Sequence, residues 1–335
     1  MRKELLKYIN CPVCSGSDLE FVESKTENKT IIDGSLICES CRSIFLISKG
    51  ILYLYEKLSE SAEKEKKANE TEVKKDNKIS DFKNDSWVLN FPNVKKMGID
   101  LRTERIGRLI SENIILSFSK YLNVENKTIL EIGAGNCWVT ARLAEKNYCI
   151  ALDILTMPPD GLESGNIFLK NKNIYFERIS ADMSNLPFKD LVFDFVLISA
   201  SLHHSPDVGK TLAEIYRVLK SGGKLVVLNE PCQGMIGTKE RGQAKADLED
   251  GMNEKRYSIR EWKTFFKENK FEYEILLPEN ISRALKSRSG IYKIILRALN
   301  IQTVMKVINY LRIFVFLLFD SYFNAVLIKK EPYEN

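Results

Sequence analysis

The chain is short of several things, and each shortage narrows the possibilities. Among its 335 residues the longest uninterrupted apolar run is Ile313 to Phe319, seven residues. A membrane-spanning helix needs about 18 or more, so no spanning helix is expected. No apolar signal segment leads the sequence, and the cysteines number seven. Together these point to the reducing cytoplasm. No internal repeat is visible, so a repeat array is not expected. The net charge of +5 is mild and does not by itself imply nucleic acid. Histidine is nearly absent: His203 and His204 are the only two. What remains, 44% apolar and 28% charged residues, is the composition of a globular chain long enough for one large domain and a small one.

The chain is organised around Thr128 to Trp138, Thr-Ile-Leu-Glu-Ile-Gly-Ala-Gly-Asn-Cys-Trp. Ile129 to Ile132 reads as a buried strand, stopped by Gly133-Ala134-Gly135. Val139 to Glu145 reads as a helix. Cys149 to Leu152 reads as a second strand ending in Asp153, which lies 20 residues after Gly133. Strand, glycine turn, helix, strand and acid form a nucleotide site, because glycine lets the backbone approach a ligand and the carboxylate accepts from ribose hydroxyls. A dinucleotide fingerprint would place a third glycine at 138, where Trp138 stands.

With Glu131 two residues before the first glycine, the stretch resembles motif I of the class I S-adenosylmethionine (SAM) methyltransferases. The last glycine of that motif is Cys137 here. The resemblance implies an α/β, Rossmann-like fold with a mainly parallel sheet, and SAM as cofactor. It implies that Glu131 orients the methionine ammonium, that Gly133, Ala134 and Gly135 border the cofactor, and that Asp153 and Ile154 meet the ribose. Ala181-Asp182-Met183 resembles the family loop whose acid accepts from the adenine amino group. Phe193 to His204 reads as a strand running into a polar loop, with Ser199 to His204 at its carboxyl end, where ligands sit. Residues 201–231, from Ser201 through the two histidines to Glu230 and Pro231, resemble the same superfamily, quinone-biosynthesis methyltransferases included. That resemblance extends over about 100–275 and does not specify the acceptor. His203, His204 and Glu230 are the candidate bases for a hydroxyl or acidic carbon; equally, the histidines could be a non-titrating wall of the cofactor pocket.

Upstream stand two C-x-x-C knuckles, Cys11/Cys14 and Cys38/Cys41, with 23 residues between the inner pair. Four thiolates so arranged close a tetrahedral structural zinc site. The segment around them resembles the small zinc-ribbon proteins that activate methyltransferases, here fused rather than separate. The expected organisation is a ribbon over 1–55, a charged linker or exposed helix over 56–80, a methyltransferase domain over 81–280, and a basic, apolar helical tail over 281–335. Ile106, Leu109, Ile110, Ile114 and Leu116 have helical spacing and are expected to pack on the sheet. Ser258 reads as a helix cap, with Trp262 packing behind it. From Ile281 to Glu331 the tail carries a net charge of +7. A basic, apolar helix suits a membrane surface, and it suits equally a cap on the core.

The expected activity is SAM-dependent methylation, first of an oxygen in a small-molecule, sugar or lipid-linked acceptor. RNA is the runner-up, although no basic and aromatic interleaving favours nucleic acid. A non-catalytic SAM-fold interaction module is the alternative outside the enzymes. The cofactors expected are SAM and a structural zinc.

Overall fold

A computed structural model describes residues 1–75, 101–234, 255–280 and 321–330, with the side chains of 72–75 and 101–109 not described. The expectations for Phe82, Trp87, Val88 and Phe91, for most of the Gln233–Gly251 loop, and for the tail over 281–320 lie outside those residues.

The short apolar runs became strands. They are β1 (Leu19–Glu27), β2 (Thr30–Cys38), β3 (Ile44–Ser48), β4 (Ile51–Tyr53), β5 (Thr128–Ile132), β6 (Tyr148–Asp153), β7 (Glu177–Ser180), β8 (Phe193–Ser199), β9 (Leu219–Gln233), β10 (Tyr257–Ser258), β11 (Phe271–Leu276) and β12 (Ser321–Lys329). One sheet holds them in the order β1-β2-β3-β4-β7-β6-β5-β8-β9-β12-β11, with β10 beside β9. From β4 through β9 the pairs are parallel, and β12 runs antiparallel between β9 and β11.

The central strands are buried on both faces, as parallel strands are. Their side chains alternate between two cores. Leu130, Ile132, Ile150, Leu152, Leu225 and Val227 enter one; Ile129, Cys149, Ala151, Val226 and Leu228 enter the other. The helices are α1 (Glu60–Lys75), α2 (Leu101–Tyr121), α3 (Trp138–Leu143), α4 (Asn166–Lys172), α5 (Val208–Val218) and α6 (Ile259–Glu268). Asp207 caps α5 by accepting from Lys210 N at 2.9 Å, and Leu212, Ile215 and Val218 form its buried face. Ser258 and Glu261 form a capping box on α6, whose Trp262 is fully buried and donates from Nε1 to Pro231 O.

Two boundaries differ from the sequence reading, while the charged segment forms α1, one of its two expected forms. The ribbon shares the sheet and the first core: Leu52 and Tyr53 of β4 pair with Ile179 and Ser180 of β7, and Leu36, Phe45 and Ile47 join the cluster of the central parallel strands. Arg178 secures the junction by donating to Lys49 O and Leu162 O. The end of the tail is not helical: residues 321–329 are β12, which buries Phe323, Ala325 and Leu327. On helix α2, Ile110 and Ile114 pack on the second core as expected, but Leu116 does not. Leu116 is exposed, while Ser111, Asn113, Ile114 and Ser117 are buried. The reason is a polar network: Asn113 Nδ2 donates to Asn229 Oδ1 and Asn324 Oδ1, both at 2.8 Å, tying α2 to β9 and β12. Among the described residues no helix is long and apolar enough to cross a membrane.

Candidate active site

The glycine turn after β5 lies at the carboxyl end of the parallel strands, where such sheets bind ligands. Gly133 N and Ala134 N both donate to Leu152 O, so the turn is pinned to the end of β6. Gly133 has φ of +68°, and a Cβ there would come within 2.5 Å of Ser201 Cβ, so no larger residue fits. Cys137, in the place of the motif's last glycine, takes the left-handed region at φ of 64° and is fully buried.

Asp153 closes the turn from below. Its Oδ2 accepts from Gly135 N at 2.7 Å and its Oδ1 from Leu155 N at 2.8 Å. Burial pushes its carboxyl up to about 6, against the opposing pull of those N–H groups. Asp182 accepts from Ser184 N, Ser184 Oγ and Ser59 N. Burial opposes its charge, but those donors outweigh it and hold its carboxyl below the usual range.

A cavity of about 250 Å3 opens above the turn, lined by Glu65, Asn69, Gly133, Gly135, Leu152, Asp153, Ile154, Leu155, Ala181, Met183, Ser201 and His204. Six residues singled out from sequence therefore converge: Gly133, Gly135, Asp153, Ile154, Met183 and His204. The others stand off it. Glu131 is buried against α3, where Thr140 Oγ1 donates to it, and burial pushes its carboxyl up to about 8. It does not border the cavity, so this geometry does not give it the expected direct contact with a methionine ammonium. Ala134, Asp182 and Ser199 also lie outside the lining, Asp182 between the lining residues Ala181 and Met183; Ser199 Oγ accepts from Asn229 Nδ2.

The two histidines separate. Glu230, fully buried, accepts from Ser201 N and Leu202 N at 2.9 Å on Oε1, and from His203 N and His203 Nδ1 on Oε2. Burial opposes the charge of Glu230, yet His203 and the N–H groups outweigh it and lower its carboxyl. Glu230 and His203 thus hold the loop from below, while His204 borders the cavity. Glu65, Asn69, Leu155 and Ser201 were not anticipated. The Glu65 and Asn69 spacing on α1 is helical, but no local signal says what that face meets.

The lining contains two carboxylates and no lysine or arginine among the described residues. That donor set suits a cationic ligand with ribose hydroxyls. It does not suit a pyrophosphate.

Far from this cavity, the Sγ atoms of Cys11, Cys14, Cys38 and Cys41 lie within 4.8 Å of one another. The pairs Cys11–Cys41 and Cys14–Cys38 are 3.6 Å apart, too far for disulfides. Zinc–sulfur bonds of ~2.3 Å in a tetrahedron put sulfurs about 3.8 Å apart, which these separations fit. The left-handed turns at Ser15 and Arg42, one residue past each knuckle, bring the thiols inward.

Comparison with known proteins bears on the domain around this site. A family model for a methyltransferase domain matches residues 130–227. The sterol 4-C-methyltransferase strm-1 of Caenorhabditis elegans is 35% identical over 105 residues, 31% of this chain and 31% of its own. The ubiquinone/menaquinone biosynthesis C-methyltransferase UbiE of Rickettsia prowazekii is 30% identical over 159 residues, 44% of this chain and 62% of its own. The chain thus spans less than two thirds of the length of these relatives. A solved complex of the Haloferax volcanii Trm112 methyltransferase activator with a methyltransferase is similar at 15% identity and a TM-score of 0.47, covering 74% of this chain and 97% of that one. Residues 130–227 are a methyltransferase domain of class I fold.

Proposed function

We propose that the chain, built around that domain, is a SAM-dependent methyltransferase acting on a protonated nucleophile. The nucleophile we favour is an oxygen of a small metabolite, a sugar or a lipid-linked intermediate. The observation that carries the reading is the cavity itself, where Gly133, Gly135 and Asp153 meet His204. In this reading Asp153, on the cavity wall, accepts from the ribose hydroxyls, and Asp182, between the wall residues Ala181 and Met183, accepts from the adenine amino group. Gly133 and Gly135 let the backbone come close. The chemistry SAM supplies when bound is a methyl group on positively charged sulfur, an already activated leaving group, so the protein mainly orients and excludes water. His204 takes the proton from the acceptor. Glu230 and His203 keep the loop that presents it in place. In the ribbon, Cys11, Cys14, Cys38 and Cys41 hold a structural zinc, and the shared sheet joins that metal-stabilised unit to the catalytic strands.

The relatives described above are named for carbon methylation, and an acidic carbon needs the same proton removal. Incubation with methyl-labelled SAM and a panel of hydroxylated and carbon-acid acceptors decides between them. Label recovered as a methyl ether supports oxygen. Label on carbon refutes the oxygen assignment, and no transfer to any acceptor class counts against the enzyme.

A further inference from the structure

Helix α1 joins the ribbon to the catalytic domain. Ala62, Glu65 and Asn69 are spaced three and four residues apart and so share one helical face. Ala62 is buried, and Glu65 and Asn69 line the cavity. The helix start is tied to the site: Ser59 Oγ accepts from Ala62 N, and Ser59 N donates to Asp182 Oδ2, both at 3.3 Å. The face is therefore held over the cavity at its first turn.

Glu65 Oε1 lies 3.3 Å from His204 Nδ1, and the two side chains are only 16% and 20% exposed. The neighbouring His203 ring, 4.2 Å away between centroids, has a carboxylate of its own in Glu230. Two adjacent imidazoles thus face two separate acids. One acid belongs to the catalytic sheet, and the other arrives on the connector.

We propose that Glu65 is a positioning residue for His204: its carboxylate faces the ring as an ion-pair partner and stabilises the charge the imidazole gains when Nε2 accepts the acceptor's proton. The catalytic use rests on the methyltransferase reading; the pairing rests on geometry alone. The transfer balances. The O–H proton of the acceptor passes to Nε2, its oxygen takes the methyl group, and the C–S electron pair stays on sulfur. The positive charge left on His204 then sits beside the Glu65 carboxylate, which stabilises it. Among the described residues, the ionisable groups facing the ring include Glu65 from α1, His203 with Glu230 behind it, and Asp153 across the cavity. The connector thereby completes a site that the family-matched segment, 130–227, does not contain by itself.

Because the chain has two histidines, nitrogen NMR of the full-length, 15N-histidine-labelled protein resolves both. In the wild type one ring, that of His204 on the cavity wall, should titrate beside the Glu65 carboxylate. In Glu65→Gln its midpoint should fall by about one pH unit, the usual size of losing one adjacent opposite charge. The acid limb of kcat should move down in Glu65→Gln by the same unit, and kcat should drop about tenfold in Glu65→Ala, with unfolding midpoints unchanged. Identical titration midpoints in wild type and Glu65→Gln, in folded protein, overturn the pairing. A wild type that shows the pairing but binds no SAM overturns the methyltransferase reading instead.

Discussion

Glu230 offers the sharpest test of how the site is built, because two roles predict opposite results. As a base it would be dispensable for folding. As the anchor of residues 201–203 it would not. Its two oxygens receive four hydrogen bonds, three from backbone N–H groups and one from His203 Nδ1. Glu230→Gln keeps the volume but replaces one accepting oxygen with an NH2 group. Two buried donors then face a donor. Hydrogen bonds to a charged group are worth ~1.5–3 kcal/mol each, so the variant should lose ~3–6 kcal/mol. That is a large part of the ~5–15 kcal/mol that holds a domain together. Urea unfolding with far-ultraviolet circular dichroism reads it directly. The loop also presents Ser201 and His204 to the cavity, so SAM affinity should fall with stability. The pH dependence has a definite sign. The folded-state pKa of Glu230 is lowered, so its contribution is fully present above the unfolded value of ~4.3 and is lost as pH falls through the folded one. The gap between variant and wild type should therefore narrow in acid. A Glu230→Gln protein within about 1 kcal/mol of wild type at pH 7, yet inactive, would refute the anchoring argument and restore Glu230 as a base.

Asp153, pushed up to about 6 by burial, loses its acceptor character as pH falls through that value, so SAM affinity should weaken below pH 6. Asp153→Asn should bind about tenfold or more weakly and show no such dependence, by calorimetry at several pH values. Metal analysis should find one zinc per wild-type chain and almost none in Cys38→Ser; a metal-free wild type purified under reducing conditions would contradict the ribbon assignment. Phe323→Ala, in a fully buried position against Trp262 and Phe266, should cost ~3–5 kcal/mol, and a change below about 1 kcal/mol would mean that β12 is not in the core.

How much of this was legible in the residues follows from how local each signal is. The turn at Gly133-Ala134-Gly135 and the acid at Asp153 lie within one strand–helix–strand unit, so sequence spacing alone brings them together. The four cysteines are legible for the same reason: each knuckle is a closed local turn. Glu131 was misplaced because its side chain alternates toward α3 and Thr140, a direction set by the strand's pleat and by its neighbour. Leu116 was taken for core because helical spacing does not know that Asn113 must meet Asn229 and Asn324. Those three asparagines come from segments more than 90 residues apart. β12 was hidden because its apolar run follows a basic, apolar stretch, and nothing local marks a strand inserted between β9 and β11. The β4–β7 pairing left no trace either, since parallel partners distant in sequence share no turn. Glu65 stands in a segment whose composition announces only solvated charge; its role exists because the ribbon and the sheet fix where α1 lies.

The claim on which the rest depends is that the cavity over Gly133, Gly135 and Asp153 takes a sulfonium nucleoside and not a dinucleotide. Titration of the full-length protein with SAM and, separately, with NAD in one calorimeter tests it. The acidic lining predicts one SAM bound per chain, with affinity reduced at least tenfold in Asp153→Ala, and no heat from NAD. NAD binding in place of SAM, or SAM binding that ignores Asp153→Ala in folded protein, would contradict it.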